Sequence, residues 1–181
     1  MTKTIYLIRH CEAEGQWPDA ELTKKGTEQA EQLKKYFTYR NIDKIITSTW
    51  KRAVNTAKPL SLLKNKPIHT DKRLQERKLS SKDMPDWFEK LKNTFIDHDL
   101  TFDGGESSRT AQQRGLEAIE SIVNGKGDSF AVVTHGNLLS LILHYYDRKI
   151  GFEDWKALRN PDLFVLTFDQ ERITIKHEGD L

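Results

Sequence analysis

The sequence predicts an α/β fold, a three-layer α/β/α sandwich around a mostly parallel central sheet. Three observations carry this. Two short, continuous apolar runs, Thr4–Ile8 and Phe130–Thr134, have the composition of strands buried on both faces. Strand-like and helix-like segments alternate through most of the chain, the pattern of βαβ units. The last two strand candidates alternate apolar and polar residues around a short polar turn, the pattern of a hairpin at a sheet edge.

The elements follow in order. Thr4–Ile8 reads as a buried strand, and a polar loop holding Gly15 and Pro18 spans Cys11–Glu21. Thr23 is placed to cap a helix running to about Phe37, with Ala30, Leu33 and Phe37 at core spacing. Ile42–Thr47 is a second strand. A helix from near Trp50 carries Ala53, Val54 and Ala57, and Pro59 is expected to disturb it. Pro67–Thr70 is a brief third strand. The segment 78–105 breaks the alternation. It holds Pro85, the aromatics Trp87, Phe88, Phe95 and Phe102, and the pair Gly104-Gly105. A short helix near Asp86–Phe95 is expected there, within an excursion that forms a lid or substrate wall, a satellite apolar cluster, or both. Regularity returns with a helix from Ser107 to Val123, ended by Asn124-Gly125. The strand Phe130–Thr134, a helix Leu138–Tyr146, and strands Leu163–Phe168 and Arg172–His177 about a turn at Asp169-Gln170-Glu171 complete the chain. No repeat or linker interrupts it, so residues 1–181 are expected to form one domain.

Composition narrows the function. With 29 basic and 27 acidic residues the net charge is +2, too even to select a partner. No basic run or basic face with interleaved aromatics exists, so nucleic acid is not an expected ligand. Nothing approaches the length of a membrane span, and the apolar run Ile5–Ile8 is too short for a signal peptide. Cys11, the only cysteine, forms no intramolecular disulfide and cannot build a thiolate zinc site. A reducing, cytoplasmic setting is the expectation.

Chemistry concentrates where the buried strands end. Ile5–Ile8 leads directly into Arg9-His10, and the downstream run closes on Thr134-His135-Gly136. In open α/β sheets ligands bind at the carboxyl ends of the strands. Gly136 permits a tight turn there, and the helix N-terminus that follows offers N–H groups to an anion. Arg52, early in the helix after the second strand, projects toward the same end. Glu76, in Arg73-Leu74-Gln75-Glu76-Arg77, is the candidate acid for a leaving oxygen. The other histidines singled out, His69, His98, His144 and His177, read as structural or solvated. A zinc site of His10, Glu12 and His135 is the competing reading. Two arginines beside it would repel a cation, and no paired histidine spacing is present.

Assembled, these motifs resemble the histidine phosphatase superfamily, in the branch shared by cofactor-dependent phosphoglycerate mutases and small phosphatases. The resemblance spans nearly the whole chain. It rests on Leu7-Ile8-Arg9-His10; on Leu22-Thr23, Gly26, Gln29 and Ala30; and on Ser48, Arg52-Ala53 and Thr56-Ala57. It continues through Leu74-Gln75-Glu76, Gly105-Glu106-Ser107 and Val133-Thr134-His135-Gly136. Two positions depart: Cys11 stands where the family usually has Gly, and Gln16 where many members have Asn.

The resemblance implies a phosphoglycerate mutase-like fold and a metal-independent phosphomonoesterase that uses no cofactor and acts on a small phosphorylated metabolite. His10 would attack phosphorus and become a phosphohistidine that water hydrolyses. Arg9 and Arg52 would neutralise the phosphoryl oxygens, and His135, if protonated by its anionic surroundings, would add another positive donor. Glu76 would protonate the leaving alkoxide and then take a proton from water, so it must be protonated when substrate binds. Arg9, Gln16, Thr23, Arg52, His135 and Gly136 are the expected phosphate and substrate contacts. The rivals are a phosphoglycerate mutase, disfavoured by the short stretch between Glu76 and His135, and a silent phospholigand-binding module.

Overall fold

The computed structural model describes residues 2–170 and 172–179, and among them forms a six-stranded sheet in the order β3-β2-β4-β1-β5-β6. The strands are β1 (Lys3–Arg9), β2 (Lys44–Thr47), β3 (Ile68–Thr70), β4 (Ser129–Thr134), β5 (Asp162–Asp169) and β6 (Arg172–Glu178). The four strands β3, β2, β4 and β1 run parallel, while β5 and β6 are antiparallel additions. The terminal hairpin lies at the sheet edge as its alternation predicts, although Glu171 of its expected turn lies outside the described residues.

Two apolar layers account for the unbroken hydrophobic character of the central strands. On one face Ile5, Leu7, Phe130 and Val132 pack with residues of α4 (Ser108–Val123) and α5 (Gly136–Tyr146). On the other, Ile8, Ala131 and Val133 meet Leu33 of α1 (Lys24–Tyr36) and Ala53, Ala57 and Leu60 of α2 (Lys51–Lys64). Successive residues of β1 and β4 thus bury in opposite layers, as strands covered on both sides must. No helix among the described residues is long and apolar enough to cross a membrane.

Three expectations need correction. Helix α2 does not stop at Pro59 but continues to Lys64. Proline removes one intrahelical hydrogen bond, and the burial of Leu60 one residue later holds the helix on the core despite it. The last long helix begins at Gly136, directly after His135, rather than at Leu138. A short helix, α6 (Phe152–Ala157), was not expected at all. Helix α3 (Trp87–Ile96) forms within the excursion almost where predicted.

Candidate active site

The register of the sheet builds the site. Arg9 pairs with Thr134 across β1 and β4, and His10 N–H donates to the Thr134 carbonyl at 3.0 Å. Ser48 N–H likewise donates to Val133 O at 2.9 Å. Three strand ends therefore close at one level, and the next residues, His10 and His135, come to lie with ring centroids 5.1 Å apart. This is the crevice beyond the strand ends where the connections diverge to opposite faces of the sheet.

His10 is buried, and its ring is fixed from both sides. Nδ1 stands 2.6 Å from the Cys11 carbonyl, which can only accept, so Nδ1 carries the proton. Nε2 then bears the lone pair and accepts from Arg52 Nε at 3.0 Å. Burial, with help from the two nearby guanidiniums, pushes the imidazole pKa down to about 3, so His10 is neutral at ordinary pH.

Arg52 is not a solvated helix arginine but is completely buried. Its Nη1 donates to Trp17 O at 2.9 Å and Gln16 O at 3.3 Å, and its guanidinium lies 4.6 Å from the Trp50 ring centroid. Arg9 is anchored through Nη1 to the carbonyls of Leu158 and Arg159, at 2.8 and 3.3 Å. Among the described residues each guanidinium keeps one buried nitrogen without a partner, Nε of Arg9 and Nη2 of Arg52. Burial lowers both pKa values from their ordinary one. Gly136 serves this end of the cleft through its missing side chain: a Cβ there would stand 3.0 Å from Arg9 Nε.

His135 carries no charge in advance of a ligand. It is fully buried, and burial together with His10, Arg52, Arg114 and Arg9 holds its pKa well below the usual value. In the free protein it is neutral, not an imidazolium. Ser48 Oγ, which accepts the Trp50 N–H at 3.2 Å, lies 2.8 Å from His135 Nε2. We assign the serine's proton to that bond, which puts the His135 proton on the unpartnered Nδ1.

The helix N-terminus is also less open than predicted. Glu76 Oε2 accepts from Asn137 N at 3.0 Å, and Oε1 from Leu138 N at 2.9 Å and Arg77 N at 2.8 Å. The carboxylate thus caps α5 from outside, because His135 provides no side-chain cap. Glu76 is brought there by Leu74, fully buried at the end of a 3₁₀ turn, whose carbonyl accepts from Thr134 Oγ1 at 2.8 Å.

Thr23 is not brought to the site. Its hydroxyl accepts from Gly26 N and donates to Glu12 Oε1, both at 2.9 Å, and it does not line the cleft. Glu12 in turn pairs with Lys25 at 3.3 Å. Among the described residues no group of three or more His, Cys, Asp or Glu stands close enough to hold a metal ion. Gln16 does line the cleft, and its main-chain carbonyl also steers Arg52. Cys11 is buried, with its thiol pushed up to about 12 by burial, and so is unreactive.

The cleft above these residues encloses about 550 Å³. Its walls include Trp50, Trp87, Leu91 and Trp155. Of the aromatics expected in a substrate wall, Trp87 is present. Phe88 lies behind, against Phe152 and Trp155, and Phe102 is elsewhere, under Lys90. Sequence reasoning missed Trp50, Arg77, Asn137 and Trp155. Trp50 follows Ser48 by two residues and Asn137 follows His135 by two, so proximity to the matched motifs was the available signal. Trp155, on the unforeseen α6, offered none.

Comparisons with known proteins show the family and the fold. The model of the histidine phosphatase superfamily (branch 1) matches residues 5–181. Bacillus stearothermophilus YhfR is similar in structure, with TM-score 0.80 and 27% identity over 99% of this chain and 98% of that one. A mycobacterial glucosyl-3-phosphoglycerate phosphatase shares the fold at TM-score 0.76 and 21% identity, covering 98% of each chain. Phosphoglycerate mutase from Bacillus anthracis does so at 0.79 and 16%, covering 99% of this chain and 93% of that one. No curated protein matches the chain.

Proposed function

We propose that the chain, which belongs to branch 1 of the histidine phosphatase superfamily, is a phosphoric monoester hydrolase that acts on small phosphomonoesters without a metal, through a phosphohistidine on His10. The observation that carries this reading is the Nδ1 contact of His10 with the Cys11 carbonyl, which leaves the Nε2 lone pair as the nucleophile.

The transferred phosphoryl group sits among Arg9, Arg52 and His135, whose unpartnered N–H groups become donors to its oxygens. Arg52 Nε turns from His10 to the ligand, and Nε2 attacks phosphorus. As the P–N bond forms, the P–O bond to the alcohol breaks, and Glu76, which has taken up a proton as the substrate binds, delivers that proton to the departing oxygen. The Glu76 carboxylate next takes a proton from water, whose oxygen attacks phosphorus. The P–N bond breaks, orthophosphate leaves, and both residues regain their starting forms. The transition state is loose, so positioning and charge neutralisation supply most of the rate, and three buried donors around one dianion meet that requirement. A structure of the mycobacterial phosphatase with inorganic phosphate supports a phosphate-sized site in this fold. The segment 78–105 is the substrate wall in this reading.

Hydrolysis of 4-nitrophenyl phosphate in EDTA tests it. Turnover that persists in EDTA and vanishes in His10→Ala is expected, with an N–P adduct on His10 after rapid alkaline quenching. Activity that depends on added metal, or that survives in His10→Ala, would overturn it. Exchange between monophosphoglycerate isomers without phosphate release would reassign the chain as a mutase.

A further inference from the structure

The motif Gly105-Glu106-Ser107 has no part in the chemistry just described, and its surroundings show what it holds. Ser107 caps α4, its hydroxyl accepting from Thr110 N at 3.0 Å. Gly105 runs so close to the excursion that a Cβ there would stand 2.1 Å from Leu79 O. Glu106 N donates to Lys78 O at 2.9 Å, and Glu106 O accepts from Arg77 Nε at 3.0 Å. The Glu106 carboxylate takes Arg114 of α4 in a two-pronged ion pair, through Nε at 3.1 Å and through Nη2. Arg114 turns the rest of its guanidinium on main chain. Nη1 donates to the carbonyls of Arg73 and Gln75, both at 2.7 Å, and Nη2 to that of Glu76 at 3.3 Å. A guanidinium offers five N–H donors in one fixed plane, and here all of them are engaged.

The run gripped in this way, from Arg73 to Lys78, carries Glu76. After the 3₁₀ turn Lys72–Leu74 that run is irregular and belongs to no helix or strand. In the free protein the Glu76 carboxylate is held by the first amides of α5. The proposed mechanism has it take up a proton and serve the leaving oxygen, so those bonds weaken when its placement matters most. The grip on its main chain does not depend on its protonation. A general acid must stand within hydrogen-bond reach of the oxygen it serves, and small misplacements are costly.

We propose that Arg114, aimed by Glu106, is a positioning residue that sets where the Glu76 carboxyl stands relative to the leaving oxygen. The inference rests on the phosphatase reading and deepens it. Lysine is no equivalent here, because a compact ammonium with three donors cannot span three carbonyls and a carboxylate.

The test compares benzyl phosphate, whose alkoxide departs with a proton, and 4-nitrophenyl phosphate, whose anion departs without one, both in EDTA. Arg114→Met should lower kcat about thirtyfold on the benzyl ester and less than about threefold on the other, moving their ratio about tenfold. Arg114→Lys should recover part of this, with the ratio moved about threefold. In a Glu76→Gln background Arg114→Met should not move the ratio further, because no proton is then left to place. Parallel losses on both esters in Arg114→Met would overturn the proposal, since Arg114 would then be only a strut between α4 and the 3₁₀ turn. A ratio that still moves in the Glu76→Gln background would overturn it too. If Arg114→Met does not fold, Glu106→Gln decides, because it loosens the aim of the guanidinium and leaves its carbonyl partners in place. That variant should move the ratio about twofold, and an unmoved ratio there counts against the proposal as fully. Failure of the unaltered protein to hydrolyse either ester would instead sink the phosphatase reading itself, and the positioning role with it.

Discussion

The two ends of the cleft are built differently. The phosphoryl end is made of strand and helix termini: His10 after β1, His135 after β4, and Arg52 in the first turn of α2. His10, His135 and Arg52 are buried; His10, Arg9 and Arg52 are tied to main-chain carbonyls, and His135 meets the Ser48 hydroxyl. The alcohol end is made of the irregular stretch after Glu76, of α3 and of the six-residue α6, with Trp87 half exposed. Rigid termini suit a reaction whose rate depends on fixed donors, and irregular segments can vary without disturbing them. Reaction type should therefore map to the first end and substrate choice to the second.

The largest effect expected from this division is at His10. His10→Ala should lower kcat by about 10⁴-fold or more, whatever alcohol the substrate carries, and should yield no quenched N–P adduct. A loss that depended strongly on the alcohol would break the division, because it would give the sheet terminus a share in selection.

The same contrast governs what could be read from the sequence. The phosphoryl end was legible because buried strands advertise themselves as unbroken apolar runs, and Arg9, His10 and His135 sit at fixed offsets from where those runs stop. Arg52 was identifiable as a candidate, but its complete burial was not: a helix arginine at position two of its helix looks the same in sequence whether solvated or enclosed. The neutral state of His135 in the free protein was not legible, for a related reason. Its protonation depends on how much water is excluded, a property of the assembled layers and not of Thr134-His135-Gly136. At the alcohol end, α6 is too short to show a helical period, and with it Trp155 was invisible. Arg77 looked like one more charge beside Glu76. Thr23 was legible as a helix cap, and that is the role its hydroxyl fills.

Glu76 stands at the junction of the two ends, so its effect should depend on the leaving group. In Glu76→Gln, alkyl phosphates should lose on the order of 10²–10⁴-fold in kcat, the usual range for a lost general acid. With 4-nitrophenyl phosphate the loss should shrink below about tenfold, since nitrophenolate departs without a proton. Gln keeps one oxygen to accept from the α5 N-terminus, so the melting temperature checks that the cap survives. Equal losses on both substrates would remove Glu76 from the leaving oxygen.

Acid stability should separate the ends without any substrate. The folded pKa values of His10 and His135 lie below their ordinary value of 6.5. As the pH falls below about 6.5, the unfolded chain takes up protons at these rings while the folded protein does not. Stability is therefore full above about pH 6.5 and is lost as the pH falls, for His10 down to about 3. The loss approaches about 1.4 kcal/mol per pH unit for each buried ring. Urea midpoints between pH 8 and 5 measure it. His10→Asn should flatten the slope by roughly one such contribution, and Trp87→Ala should leave it unchanged.

The smallest effects belong to the aromatic wall, and two tryptophans distinguish its functions. Trp87 is 50% exposed and lines the cleft, with its ring edge-on to Phe88 at 5.6 Å. Trp155 also lines the cleft, but it is half-buried and packs within a cluster of Phe88, Phe95 and Phe152. Truncating Trp87 removes contact with the bound alcohol and little else. Trp87→Ala should therefore raise KM for a benzyl phosphate about fivefold, close to 1 kcal/mol, with a smaller change in kcat and an unmoved urea midpoint. Trp155→Ala removes the ring that joins α6 to α3, so a stability loss of about 2–3 kcal/mol should accompany its KM effect. If Trp87→Ala reduced kcat as much as it raised KM, the wall would be acting on the transition state and the two ends of the cleft would not be separable.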